Sequence, residues 1–489
     1  MSISFKTGPA APPHSGPMDT INPVTTPLPA TPAFDLERDP PGPPRRWWGL
    51  PLLRRMRADY LGFTVGLQRD HGDLTLMQLG AERAYDLFTP ELVREALVDQ
   101  ADALVRWERG IEVFEQTFGQ SVLVTEGATW HRQRRMLQPA FSPRRVAGYA
   151  ELMREAAGEA LDGAVPAGQA QALVDMDALW ARVAIDVIMR TLFSSRAADE
   201  ALDAAEATQV LSEVALREMF WPATLPDWLP LPGKARKRRA LRTLRGLVGR
   251  HIAERRAEPI GAPPHDDLLA HLLALRDEDS GAALSDAEVF DQCMVSFQAG
   301  HETSATGLLW WSRLMAEHPS STQRAQQEVD AVLSGRAPAA DDLPALPWLT
   351  ATLKEAMRLY PPIAAVMTRR TTREITLGGR RIPRGALLRI TPWVLHRDPR
   401  SFEAPEAFRP ERFLPGSPAQ PRGAWMPFGT GPRVCIGQHF AMLEMTLSAA
   451  LLLQRCTLAL PPGTGPAQPV LNVTLRPQGG VRLLLARRG

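Results

Sequence analysis

Three groups of residues have types and spacings that suit chemistry. The first surrounds Cys435 in WMPFGTGPRVCIGQHFAMLE, residues 425–444. The cysteine stands just ahead of a helical pattern, where free backbone N–H groups and the positive end of the helix dipole favour an ionised sulfur. Gly429, Gly431 and Gly437 let the backbone run close to a flat ligand. Arg433, two residues upstream, can pair with an anionic group beside a thiolate-held metal. The second group is AGHETS, residues 299–304, in which Glu302 and Thr303 offer an acid and an alcohol for proton delivery. The third is Glu355 with Arg358, which share one helix face. Each group has a plainer reading. A lone cysteine usually packs, a helical threonine bonds back to its own backbone, and a Glu–Arg pair usually decorates a surface.

These residues need elements to hold them. Ser285 and Glu288 have the spacing of a capping box and Pro319 marks a stop, so one helix is predicted from Asp286 to about Glu317. It would be roughly 48 Å long at about 1.5 Å per residue. Apolar on most sides, it should cross the middle of a domain, with AGHETS interrupting it halfway. A second helix is predicted over 345–359, stopped by Pro361 and Pro362. A basic helix is expected over about 235–258, read as a solvated face. Strands are expected near 60–90, 364–391 and 456–488. The fold class is therefore mainly α with smaller β-sheets (α+β). Residues 1–44 hold twelve prolines, which predicts an extended or disordered leader. Residues 45–489 then form a single domain.

Composition narrows the function classes. A formal net charge of +2 gives no reason to expect a nucleic-acid partner. Three cysteines, Cys293, Cys435 and Cys456, make no disulfide framework and fit a reducing compartment with room for one functional thiol. The first twenty residues lack the apolar run of a secretory signal, and no stretch approaches the ~20 apolar residues that span a bilayer. A cytoplasmic protein without a transmembrane anchor is expected.

The motifs become specific when taken together. FGTGPRVCIG fits Phe-x-x-Gly-x-Arg-x-Cys-x-Gly at each fixed position: Phe428, Gly431, Arg433, Cys435 and Gly437. Five fixed residues arise by chance on the order of 10⁻⁴ times in such a chain. The segment resembles the haem-binding loop of the cytochrome P-450 family. AGHETS resembles that family's oxygen-activation motif. EAMR, residues 355–358, resembles its Glu-x-x-Arg pair, and RPERF supplies Arg412 as third partner. WHRQRR resembles the Trp-x-x-x-Arg element, with Trp130 and Arg134 matching. All stand in family order, and the resemblance covers roughly residues 45–489. Ser304 departs from it, standing where many members have a second threonine.

The resemblance implies a triangular fold with a long central helix over haem b. Cys435 would be the axial iron ligand, a thiolate that favours O–O cleavage. Trp130, Arg134, Arg433 and Arg369 would partner the haem propionates, with Phe428 and Gly437 shaping the loop. Ala299 and Gly300 would admit the flat ligand and O2, and Glu302 and Thr303 would manage its protons. His301 is read as a packing or solvent residue. Glu355, Arg358 and Arg412 would be structural. Val122, Phe297, Ala299, Ile363, Ala364 and Val366 would face a hydrophobic substrate.

The activity implied is a monooxygenase inserting one atom of O2 into a C–H bond, or a double bond, of a hydrophobic small molecule. Its electrons would come from NAD(P)H through a separate ferredoxin or flavodoxin and its reductase, with no fused reductase and a monomeric chain. Arg132, Arg135, Arg144 and Arg422 would form a basic docking face for that carrier. Two other classes stay open: a haem-thiolate lyase, isomerase or peroxygenase needing no external electrons, and a non-catalytic haem sensor. The Glu302–Thr303 pair argues against the former, and the lack of an appended signalling domain against the latter.

Overall fold

The computed structural model describes residues 39–488 except 167–168, 197–199, 221–225, 230, 260–262, 278–279 and 366. All of them belong to one unit, residues 35–489. The leader's structure before residue 39 lies outside the described residues, as does Val366.

The central helix runs Asp286–Glu317, as the sequence pattern predicts, with the capping box formed in both directions. The Glu288 backbone N–H donates to Ser285 Oγ at 3.2 Å, and the Ser285 N–H donates to Glu288 Oε2 at 2.8 Å. Three buried tryptophan or serine contacts make the helix an axle for its neighbours. Trp180 on helix Met176–Phe193 donates its indole N–H to Ser312 Oγ at 2.8 Å. Trp311 donates to Thr352 Oγ1 on helix Pro347–Leu359 at 2.9 Å, and Trp310 to the Leu475 carbonyl at 2.7 Å. Each bond satisfies a buried indole N–H and fixes the rotation of the helix against a different element. Helix Gln438–Arg455, which follows the cysteine loop, packs between the central helix and helix Ala150–Ala164.

A five-stranded sheet joins distant parts of the chain in the order Leu74–Leu79, Glu82–Leu87, Leu387–Ile390, Met367–Thr371, Leu104–Arg106. One pairing, Glu82–Leu87 with Leu387–Ile390, is parallel, and the others are antiparallel. In the last pair Arg106 stands directly opposite Arg369. The later strands fall at Cys456–Ala459, Pro469–Leu471, Leu475–Pro477 and Arg482–Arg487, within the region expected for them.

Two boundaries differ from expectation. Residues 60–71 were expected in the first strand region, but Tyr60–His71 is a helix. Asp59 caps it, accepting from the Gly62 N–H at 2.8 Å, a local bond that overrides the strand preference of Tyr60, Phe63 and Val65. The basic helix begins at Pro232, with the proline in its first turn, and ends at Ala257. It is not only a solvated face, because Lys234 and Lys237 turn inward onto Glu218 and Asp227. No helix among the described residues is long and apolar enough to cross a membrane.

Candidate active site

The cysteine loop is shaped by its own backbone. The Cys435 N–H donates to the Phe428 carbonyl at 2.9 Å, closing the turn. Gly429 and Gly431 both sit at φ +74°, and a side chain on Gly431 would strike the Leu97 carbonyl oxygen at 2.0 Å. Gly437 is the N-cap of helix Gln438–Arg455, so Cys435 lies two residues ahead of the cap. A cleft of about 670 Å³ reaches the sulfur, lined by His131, Arg134, Arg135, Phe141 and His439 among others. The side chain is open to that cleft, yet enough protein surrounds it that burial pushes its thiol up, against the Gly437 N–H and the Arg134 guanidinium. A coordinated cation reverses that balance and ionises the thiol. Cys293 and Cys456 are buried in the core.

Beside the loop the structure gathers cations around one carboxylate. Arg433 donates to the Thr125 carbonyl at 3.0 Å, pairs with Glu126, and lies over the Trp130 ring at 4.0 Å. Arg106 is 3.8 Å from Glu126 and directly across the sheet from Arg369. Like charges placed opposite on a sheet repel. Burial, then repulsion from Arg433 and Arg369, pulls the Arg106 guanidinium down to about 9. Burial also pulls Arg433 down to about 10 and lowers Arg369 and Arg134. Among the described residues, no acceptor bonds the Arg134 guanidinium or the Trp130 indole N–H. Four guanidiniums with one carboxylate, plus a free indole donor and a thiol, fit a flat ligand carrying two carboxylates and a metal, as haem does. Arg106 and Glu126 escape the sequence reading, because a short LVR strand and a loop glutamate carry no pattern of their own.

The opposite wall comes from the central helix. In its largely buried middle, Ala299 is exposed and Ser296, Gly300, Glu302 and Thr303 are partly open. Positions 296, 299 and 303 form one stripe on a helix. Thr303 donates its hydroxyl to the Ala299 carbonyl at 2.8 Å. Glu302 points elsewhere: its Oε1 accepts from Thr474 at 2.7 Å, and burial raises its carboxyl, opposed by Thr474 and Arg476. Glu302 and Thr303 therefore do not bond each other. Ser304 faces Glu444 of helix Gln438–Arg455, whose carboxyl burial pushes up to about 8. Segment 119–126 joins the two walls. The Gln120 and Val122 N–H groups donate to Asp291 and Gln292 of the central helix at 2.7 and 3.1 Å, while Thr125 and Glu126 receive Arg433.

Several expected positions need correction. Phe297 is fully buried against His301 and the main core. It lies two residues, about 200° of helix rotation, from Ala299, so the two cannot face one cavity. Ala364 is also fully buried, packed with Leu61 and Leu475. Gly300 does not make room for a ligand. A side chain there would meet Ile188 Cδ1 at 3.0 Å, so the glycine lets helix Met176–Phe193 approach. His301 needs no correction and packs in the core: its Nδ1 bonds the Phe297 carbonyl at 2.7 Å, and burial lowers it to about 4. Val122 and Ile363 stay partly open. Of the four docking arginines, Arg132 pairs with Glu288 and Arg135 with Asp277, whereas Arg144 and Arg422 are exposed and without an ion pair among the described residues.

Glu355, Arg358 and Arg412 meet under the cysteine loop. Arg358 donates Nε and Nη2 to the two Glu355 oxygens at 2.7 and 2.8 Å, and both side chains are fully buried. Arg412 Nε is 3.4 Å from Glu355. Arg358 also binds the carbonyls of His396, Pro405 and Ala407 at 2.8, 2.6 and 3.0 Å. His396 extends this network to the loop. Its Nε2 accepts the Met426 N–H at 2.9 Å, and its Nδ1 lies 3.2 Å from the Arg358 carbonyl. Burial lowers the ring to about 3, so it stays neutral, with the proton on Nδ1. His396 has no sequence signal, because its partners are main-chain atoms far along the chain.

The comparisons with known proteins agree with this geometry. The family described as Cytochrome P450 matches residues 40–484. The chain is 37% identical over 425 residues to a cyclooctatin synthase of Streptomyces melanosporofaciens, covering 85% of this chain and 90% of that protein. It is 36% identical over 437 residues to a cyclooctat-9-en-7-ol 5-monooxygenase of the same organism, covering 86% and 92%. A pentalenene oxygenase of Streptomyces avermitilis is 33% identical over 423 residues, covering 86% and 91%.

Proposed function

The chain belongs to the cytochrome P450 family of haem-dependent monooxygenases, and from that premise we propose that it oxidises a terpene-like, largely hydrocarbon molecule with electrons from a separate acidic carrier. The relatives' names, an alkene and an unsaturated alcohol among their substrates, support the substrate class. The observation that carries the site reading is the gathering of Arg106, Arg369 and Arg433 at the single carboxylate of Glu126, with Arg134 linking Arg433 to Cys435.

Haem, when bound, supplies O2 activation and oxygen insertion. The chain's residues do the rest. Cys435 would hold the iron, with the Gly437 N–H and Arg134 stabilising its negative charge. Arg106, Arg134, Arg369, Arg433 and the Trp130 indole would hold the two carboxylates and fix the plane of the ring. Ala299 leaves space on the central helix, and the partly open Val122 and Ile363 would give the substrate apolar surface. Thr303 is the hydroxyl on the open stripe, and turning away from the Ala299 carbonyl frees it to pass on a proton. Glu302, held by Thr474 with a raised carboxyl, is a proton store on the next helix position.

Thr303→Ala tests this assignment. With a surrogate redox chain, the variant should keep haem and substrate binding but divert electrons to H2O2. Product formed per NADPH consumed should fall roughly tenfold or more. Equal coupling in variant and parent would overturn the assignment and favour a lyase, isomerase or peroxygenase, none of which needs proton delivery to O2.

The carrier would dock at the cleft that reaches Cys435. Because Arg132 and Arg135 are neutralised within the chain, Arg144 and Arg422 are the cations left to steer it. Arg144→Glu with Arg422→Glu should slow reduction by an acidic ferredoxin on the order of tenfold at low salt, with substrate binding unchanged. Reduction at the parent rate would place docking elsewhere.

A further inference from the structure

Between Pro41 and Ala58 the chain carries five arginines, Arg45, Arg46, Arg54, Arg55 and Arg57, and no acidic residue. Two adjacent tryptophans lie among them. Trp47 is 79% exposed and Trp48 72%, and Leu50 follows at 63%. Exposed aromatic side chains of this size are unusual on a protein surface, and here three large apolar groups stand together.

The segment is fastened, so the exposure is not fraying. The Leu76 N–H donates to the Pro41 carbonyl at 3.0 Å, and the Gly80 N–H donates to the Trp48 carbonyl at 2.8 Å. The backbone thus lies along the outer strand Leu74–Leu79 of the five-stranded sheet. Leu52 and Met56 of helix Leu50–Ala58 are buried beside Phe63 and Leu67. Trp47 and Trp48 hold φ of 53° and 55°, a left-handed conformation that bulky residues keep only when their surroundings impose it. The chain therefore anchors its backbone and inner residues while holding both indoles in solvent.

The charges complete the pattern. Leu50 and Arg54 are one helix turn apart and both exposed. The guanidiniums of Arg46 and Arg54 make no ion pair among the described residues. A plane that buries the two indoles and Leu50 would bring these cations to its edge.

We propose that Arg45–Arg57 is a peripheral docking surface for an anionic lipid bilayer. Indole rings favour the level of the headgroups, where the apolar face is buried and the N–H stays hydrated. Arginine stems lie along the apolar layer while their heads meet lipid phosphates. An acidic protein would satisfy the arginines, but the forward-held tryptophans need a yielding apolar layer. The surface is separate from the residues placed around Cys435 and Thr303, so docking does not depend on the catalytic reading.

Co-sedimentation of the full-length holoenzyme with vesicles tests this. The parent should bind phosphatidylcholine vesicles containing phosphatidylglycerol, bind pure phosphatidylcholine more weakly, and lose affinity for the former as salt rises. Arg46→Gln and Arg54→Gln should each weaken binding to the anionic vesicles about fivefold and leave binding to neutral ones little changed. Trp47→Ser with Trp48→Ser should weaken binding to both on the order of tenfold or more. All variants should keep the parent's haem spectrum, which separates lost docking from lost folding. No binding by the parent, or binding that neither set of variants alters, would overturn the proposal. Loss of an acidic protein partner in these variants, without vesicle binding by the parent, would assign the surface to that protein instead.

Discussion

Cys435→Ser should abolish the long-wavelength band of the reduced carbon monoxide complex, the band from which the family takes its number. This is an all-or-none effect, because only a thiolate donates enough electron density to produce it. Cys293→Ser and Cys456→Ser are the controls. Cys293 is fully enclosed in the main core and Cys456, the first residue of an edge strand, is itself buried; neither lines the Cys435 cleft. Both variants should retain the band in whatever protein folds. Persistence of the band in Cys435→Ser would remove the haem-thiolate assignment itself.

Arg358→Ala should leave little or no protein able to hold haem. The substitution takes the bidentate partner from the buried Glu355 carboxylate, leaving it the Arg409 N–H and the more distant Arg412, and frees the carbonyls of His396, Pro405 and Ala407. Breaking a buried pair in this way costs about 3–5 kcal/mol, a large part of the ~5–15 kcal/mol that holds a protein folded. Arg358→Lys should fail almost as badly, since one ammonium cannot replace a fork that serves two carboxylate oxygens and three carbonyls. The damage should reach the cysteine loop through His396, whose ring ties the Arg358 carbonyl to the Met426 N–H. Soluble yield and the carbon monoxide difference spectrum give the readout. Parent-like values in Arg358→Ala would show the network to be dispensable.

Much of this was legible in the sequence where the information is local. The central helix carries its own cap and stop, so its start at Asp286 and its end near Glu317 could be read from the sequence. The cysteine loop carries fixed residues at fixed spacing. The helix at Tyr60–His71 was missed because one capping aspartate outweighed several strand-favouring side chains. Pairings across the fold were harder. The Arg106–Arg369 opposition depends on strand register, and the union of His396 with Met426 on main-chain atoms thirty residues apart. Phe297 and Gly300 were misplaced for a different reason. An apolar or small residue in a helical motif does not say which side it faces, and rotation of the helix against Ile188 decided it.

The gathering of guanidiniums at Glu126 has a consequence for the life of the chain in a cell. Glu126 offsets only one of the charges of Arg106, Arg369 and Arg433, so the three are costly to bring together until a further anion lies among them. A ligand that binds only the folded chain shifts the equilibrium toward it by mass action. Newly made chains that outpace the supply of haem would therefore open more often and be exposed to proteases in proportion. The amount of enzyme present would follow cofactor supply as well as transcription, with the arginines acting as the gauge.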